Sequence, residues 1–211
     1  MKTTNPAKVG SLEVDTTVDG VDVSAHAADL AAHMADYLQI LRIGEYHMPG
    51  SIYRYNAGTA ITANTLLTLP FFIPRPMTAD RIAIFVQTAG AAGTKARLGI
   101  YNNGTNLYPG TLLLDAGEIV VDSTGLKAII ISQALSKGLY WLAFVSDGTP
   151  SLPNSTHWDT HILGWRADDI TYPNFPWQKA FTYAALPNPF PSDATYGTCY
   201  WHITLRIASL D

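Results

Sequence analysis

Between residues 51 and 207 the chain reads as ten short runs of β-type patterning, with no helical periodicity separating any two of them. That excludes βαβ architectures, whose parallel strands need a crossover that is usually helical. The runs fall at 51–56, 65–73, 81–88, 95–102, 111–115, 118–122, 127–132, 139–146, 160–165 and 198–207. Gly, Pro and Asn punctuate them, as turns between antiparallel strands require. The last run is the cleanest: Cys199, Trp201, Ile203, Leu205 and Ile207 alternate with Tyr200, His202, Thr204 and Arg206. A period of two marks a half-buried strand. The expected fold class is mainly β, an antiparallel, jelly-roll-like β-sandwich over residues 46–211. Within it, 150–192 loses its pattern and becomes rich in Pro and aromatics, which reads as long ordered loops crossing one end of the sandwich.

Ahead of the sandwich, residues 24–43 carry a helical pattern. Asp22 and Ser24 are suitable N-caps, Arg42 complements the dipole in the last turn, and Gly44 suits the position just past the helix. Val23, Ala27, Leu30, Met34, Tyr37 and Leu41 are spaced four, three, four, three and four, an a/d seam of period 3.5. Ala25-His26-Ala27-Ala28-Asp29 recurs seven residues on as Ala32-His33-Met34-Ala35-Asp36. A helix of this length is marginal alone in water and has to pack on something. Its heptad period favours other copies of itself over its own β-domain, so these six residues are the expected oligomerisation seam. The leader, 1–23, carries Asp19-Gly20 between Val18 and Val21, a hairpin-turn signal. Three parts follow: a leader at 1–23, a heptad helix at 24–45 and a β-sandwich head at 46–211.

Composition narrows the function. The net charge is −4 and no Lys/Arg cluster occurs, which argues against nucleic acid as partner. Charged residues are 14% of the chain, well under the usual quarter, so much of the surface is expected to be covered by partners or polar without charge. The one cysteine, Cys199, has no internal disulfide partner. Met1 to Asp15 has no apolar stretch of signal-peptide length and no apolar run approaches membrane-spanning length, so no membrane insertion is expected.

Catalytic patterns are absent from the sequence: there is no nucleophile elbow, no phosphate-cradling glycine loop and no His-Glu-x-x-His. Cys199 is expected to be inert packing. His157, Asp159 and His161 would share one side of an extended segment, but no further ligand accompanies them and Pro153 argues for a loop. Asp168 and Asp169 are adjacent and would point to opposite faces of a strand, so they do not flank one glycosidic bond. The expectation is no enzyme, no metal and no cofactor. What stands out instead is the aromatic density from Trp158 to Trp201, interleaved with Pro173, Pro176, Pro187, Pro189 and Pro191. Proline-stiffened loops present flat rings at low entropic cost. Trp158, Tyr172 and Trp177 are the expected ligand contacts.

Thr17-Val18-Asp19-Gly20-Val21-Asp22-Val23-Ser24, followed by Ala25-His26-Ala27-Ala28-Asp29-Leu30, resembles a segment recurrent in bacteriophage tail fibres. Thr78 to Ile84, Leu98-Gly99-Ile100-Tyr101-Asn102, Pro109-Gly110-Thr111-Leu112-Leu113 and Gly138 to Ala143 resemble the sandwich heads of phage structural proteins. The resemblance covers about half of the chain and implies a homotrimeric virion protein assembled in the host bacterial cytoplasm. Its leader would attach to another virion structural protein, and its head would touch a host cell-surface glycan or protein. The shaft is much shorter than in most such fibres, which keeps open a capsid decoration or baseplate protein. A stand-alone carbohydrate-binding module and a polysaccharide depolymerase are the remaining alternatives.

Overall fold

The computed structural model describes residues 17–18, 21–22, 41–48, 56–156, 176–197 and 199–210. The chain divides into two compact units, Met1–Ile40 and Leu41–Asp211. In the first, β1 (Thr17–Val18) and β2 (Val21–Asp22) pair antiparallel with Val18 opposite Val21. Val23, Ala27, Leu30, Met34 and Tyr37 lie outside the described residues. The last seam position does not, and there the expectation needs correcting. Leu41 to Glu45 are not helical: Leu41 is only 6% exposed and belongs to the core of the second unit. Gly44, at φ +82°, turns the chain and donates its N–H to Ile207 O at 2.8 Å. Burial of Leu41 in the β-domain outweighs its heptad spacing.

The second unit is an antiparallel β-sandwich. Its strands are β3 (Tyr46–His47), β4 (Asn56–Ala60), β5 (Thr65–Ile73), β6 (Met77–Val86), β7 (Lys95–Asn103), β8 (Pro109–Val120), β9 (Gly125–Leu135), β10 (Gly138–Ser146), β11 (Ser151–Thr156), β12 (Trp177–Ala180), β13 (Thr195–Tyr196), β14 (Cys199–Trp201) and β15 (Ile203–Leu210). One sheet has six strands in the order β13-β12-β5-β10-β7-β8, and a second has four, β3-β15-β6-β9. A three-stranded ribbon, β14-β11-β4, accompanies them. Leu67, Leu69, Phe71, Leu98, Ile100, Leu142 and Phe144 of the large sheet share one core with Ile82, Ile84, Ile203, Leu205 and Ile207 of the small one. On β15 the expected alternation holds, since Ile203, Leu205 and Ile207 are buried while Thr204 and Arg206 are partly exposed.

Several expectations change. The two strands read at 111–115 and 118–122 are one, β8, which bulges where Gly117 adopts φ +94° and Asp115 Oδ1 accepts the Gly117 N–H at 3.0 Å. The single final strand is two: β14 pairs with β11, whereas β15 pairs with β3 and β6, and Tyr200, Trp201 and His202 at the joint are all buried. Residues 150–192 are not only end loops. They contain β11 and β12, and 181–191 lies over the outer face of the six-stranded sheet. There Leu186 Cδ1 would be 2.2 Å from any Cβ at Gly99, and Tyr101 donates its hydroxyl to Pro187 O at 2.8 Å. The expected strand at 160–165, and that at 51–56 apart from Asn56, fall outside the described residues.

Candidate functional site

Of the three expected ligand contacts, Trp158 and Tyr172 lie outside the described residues, as do His157, Asp159, His161, Asp168 and Asp169. Trp177 is described and is partly buried. It sits on β12 between Thr68 of β5 and Tyr196 of β13. Its ring stacks on Tyr196 at 4.3 Å and 29°, and meets Tyr108 edge-on at 4.5 Å. The contacts continue inward from Tyr108 to Phe190 at 5.8 Å and from Phe190 to Tyr101 at 5.4 Å. Tyr108 donates to Pro191 O at 2.5 Å and accepts the Ala194 N–H at 3.1 Å. Burial pushes the pKa values of the Tyr101 and Tyr108 hydroxyls above their ordinary value, keeping both as neutral donors. These rings fasten the proline-rich segment to the sheet, which is the structural use of aromatics in such a loop.

Arg97 and Asp115 serve the same end. Arg97 Nη1 reaches both Asp115 oxygens, at 2.9 and 2.8 Å, and Asp115 Oδ2 also accepts the Leu186 N–H at 3.1 Å. The pair links the β7–β8 ladder to the overlying segment.

The four-stranded sheet presents a different outer surface. Phe85 of β6 pairs with Leu126 of β9, and Arg81 with Ile130. Phe85, Leu126 and Ile130 are 46%, 53% and 77% exposed. Two depressions meet at Phe85. One, of about 360 Å³, is a mainly apolar groove lined by Tyr46, Met48, Phe85, Leu126, Pro153 and His202, among others. The other, of about 630 Å³, is an open cleft whose lining includes Gly58, Phe85, Gln87, Thr88, Thr124 and Ser151. Both volumes are in the range of small-ligand sites. Sequence reasoning did not single out these residues. A signal was present in the three consecutive isoleucines 129–131 and in the apolar run 82–86, where apolar residues occupy both faces of a strand.

His202 lines the apolar groove, and its Nε2 is 3.0 Å from Ser155 Oγ. Ser155 is 1% exposed, too enclosed to attack an external carbonyl, so this pair holds β11 to the β14–β15 joint. Desolvation lowers the His202 pKa and favours the neutral ring. Among the described residues no group of three His, Cys, Asp or Glu side chains is placed to hold a metal ion.

No protein-family model matches this chain. No curated protein is significantly similar to it.

Proposed function

We propose that this protein is a structural subunit of a bacteriophage particle: a homotrimeric fibre or receptor-binding protein whose β-sandwich head contacts a host surface glycan or protein. The observation that carries this reading is the strand order. Take β3, β5, β6, β7, β8, β9, β10 and β15 as eight successive strands. The small sheet then holds the first, eighth, third and sixth, and the four strands of the large sheet beyond β13 and β12 are the second, seventh, fourth and fifth. This order matches a two-Greek-key jelly roll, an arrangement recurrent in viral capsid proteins and lectins. Fold is shared between functions, so the reading also draws on the sequence. The seam Val23, Ala27, Leu30, Met34, Tyr37 supplies a reason to assemble, and the low charge fits a surface largely engaged by partners. The N-terminal leader would dock on another virion protein.

Solution mass by light scattering tests this. The full chain is expected at three times its 22.9 kDa mass, and Leu30→Asp with Met34→Asp is expected to reduce it to that of one chain. A wild-type monomer at all concentrations would overturn the trimeric fibre reading.

A further inference from the structure

We propose that the cleft at the end of the β6–β9 ladder is a binding site for a neutral carbohydrate, with Phe85 as the stacking platform and Thr88, Thr124 and Ser151 as the hydroxyl-bearing wall. This deepens the receptor-binding reading, and rests on it for its biological sense, by assigning a place and a ligand class to the glycan contact.

The cleft opens where Val86 pairs with Gly125, the last rung of that ladder. No residue lining it carries a charge. A phosphate, sulfate or carboxylate ligand would want an opposite charge or a cluster of charge-assisted donors, and none lines the cleft. A wholly apolar ligand would cover the Thr88 and Thr124 hydroxyls, on exposed residues of the lining, without water. A ligand with one apolar face and many neutral hydroxyls meets both conditions. Phe85, with 46% of its surface open, offers a ring face to the axial C–H groups of a sugar. Each hydroxyl of the wall can donate or accept, which suits an array of sugar hydroxyls, while the enclosed Gln87 Oε1 helps to shape the wall.

The wall is built before any ligand arrives. Gln87 donates its backbone N–H to Ser151 O at 2.9 Å, and Ser151 donates its own to Thr88 O at 2.9 Å. These bonds lock the end of β6 to the start of β11. Beneath them Gly58 of β4 has no side chain for a physical reason. A Cβ there would stand 1.9 Å from Gln87 Oε1 and 2.3 Å from Ser151 Oγ. The glycine lets both polar groups lie directly on the β4 backbone, so their positions are fixed by the sheet and little ordering entropy is left to lose on binding. Trp177, the tryptophan expected to bind, has its ring occupied by Tyr196 and Tyr108, whereas Phe85 is open.

The test is an amide-resolved NMR titration of the full chain with glucose, galactose, mannose and N-acetylglucosamine, with glucuronate and N-acetylneuraminate as charged comparators. At least one neutral sugar is expected to shift the Gln87, Thr88 and Thr124 amides with a Kd of about 1–10 mM, and Phe85→Ala is expected to weaken it about tenfold or more. Gly58→Ala is expected to weaken it as well, by displacing Gln87 and Ser151. Phe72→Ala, at an equally exposed ring on the other sheet, is expected to leave binding unchanged. The proposal is overturned by unmoved cleft amides at about 100 mM of every neutral sugar, by equal affinity in Phe85→Ala, or by tighter binding of the charged sugars. A trimer whose cleft ignores sugar sinks this proposal and spares the virion reading. A monomer that binds sugar there does the reverse.

Discussion

The two sheets of the sandwich treat their outer faces in opposite ways. On the large sheet Thr68, Tyr101, Trp141 and Ala143 point away from the sandwich core, yet none is measurably exposed. The chain's own segment 181–191 lies over this face, pinned by Tyr101 to Pro187, by Asp115 to Leu186 and by Tyr108 to Pro191. On the small sheet Phe85, Leu126 and Ile130 also point outward and stand open. Where the strap covers it the large sheet has a second core layer, though Phe72 towards the end of β5 stays open, whereas the small sheet's face remains available for contact. The difference teaches where stability and recognition are separated in this molecule: substitutions under the strap should be costly, and those on the open face cheap.

Trp141→Ala offers the largest test of that contrast. It removes a fully buried indole and its hydrogen bond to Asn103 Oδ1 at 3.0 Å, and is expected to cost about 3–5 kcal/mol. Phe85→Ala, another aromatic truncation one sheet away, is expected to cost about 1 kcal/mol or less. Urea unfolding midpoints of the two variants provide the measurement. Similar losses would mean that both faces are equally part of the folded core, and the distinction between them would fail.

Much of this architecture was legible in the sequence, and the reasons for what was not are specific. β5 is read at its observed limits, and β7 and β10 within a residue of theirs, because each is a dense apolar or alternating run closed by turn residues. Those runs hold more than was taken from them. Leu66 to Phe71 and Trp141 to Val145 are nearly continuous in apolar character, which is the mark of a strand covered on both sides. β11 was missed because Ser151-Leu152-Pro153-Asn154-Ser155-Thr156 looks like a loop. It is a buried strand whose polar groups find partners far away in the chain, Asn154 with Thr59 and Ser155 with His202. Such partners exist only after folding. The same holds for the site. Trp177 and Phe85 differ in what covers them, and cover is a tertiary property that ring density along the chain does not report.

A smaller effect probes the one region where the open face meets buried polar chemistry. His202 borders the apolar groove, and its pKa is lowered from the ordinary 6.5 by desolvation. The unfolded chain therefore takes up a proton that the folded chain refuses. This contribution to stability is fully present above about pH 6.5 and is lost as pH falls through the lower folded value. The wild-type urea midpoint is expected to drop between about pH 7.5 and pH 5.5, and that of His202→Gln to drop less. Parallel slopes in the two proteins would show that His202 is hydrated in solution, and that the groove end of this face is more open than its geometry indicates.

Ile130→Ser should have the smallest effect and is the sharpest check on the open face. At 77% exposure the isoleucine has little burial to lose, so the substitution is expected to change stability by no more than about 0.5 kcal/mol. It should do so at every protein concentration. A loss well above that, growing as the protein is concentrated, would assign the cover of this face to a second copy, because only association makes stability depend on concentration. A large loss independent of concentration would place the cover within the chain itself, and the small sheet would then be strapped like the large one. The three outcomes are exclusive, so a single exposed side chain decides whether the asymmetry between the sheets belongs to the free chain.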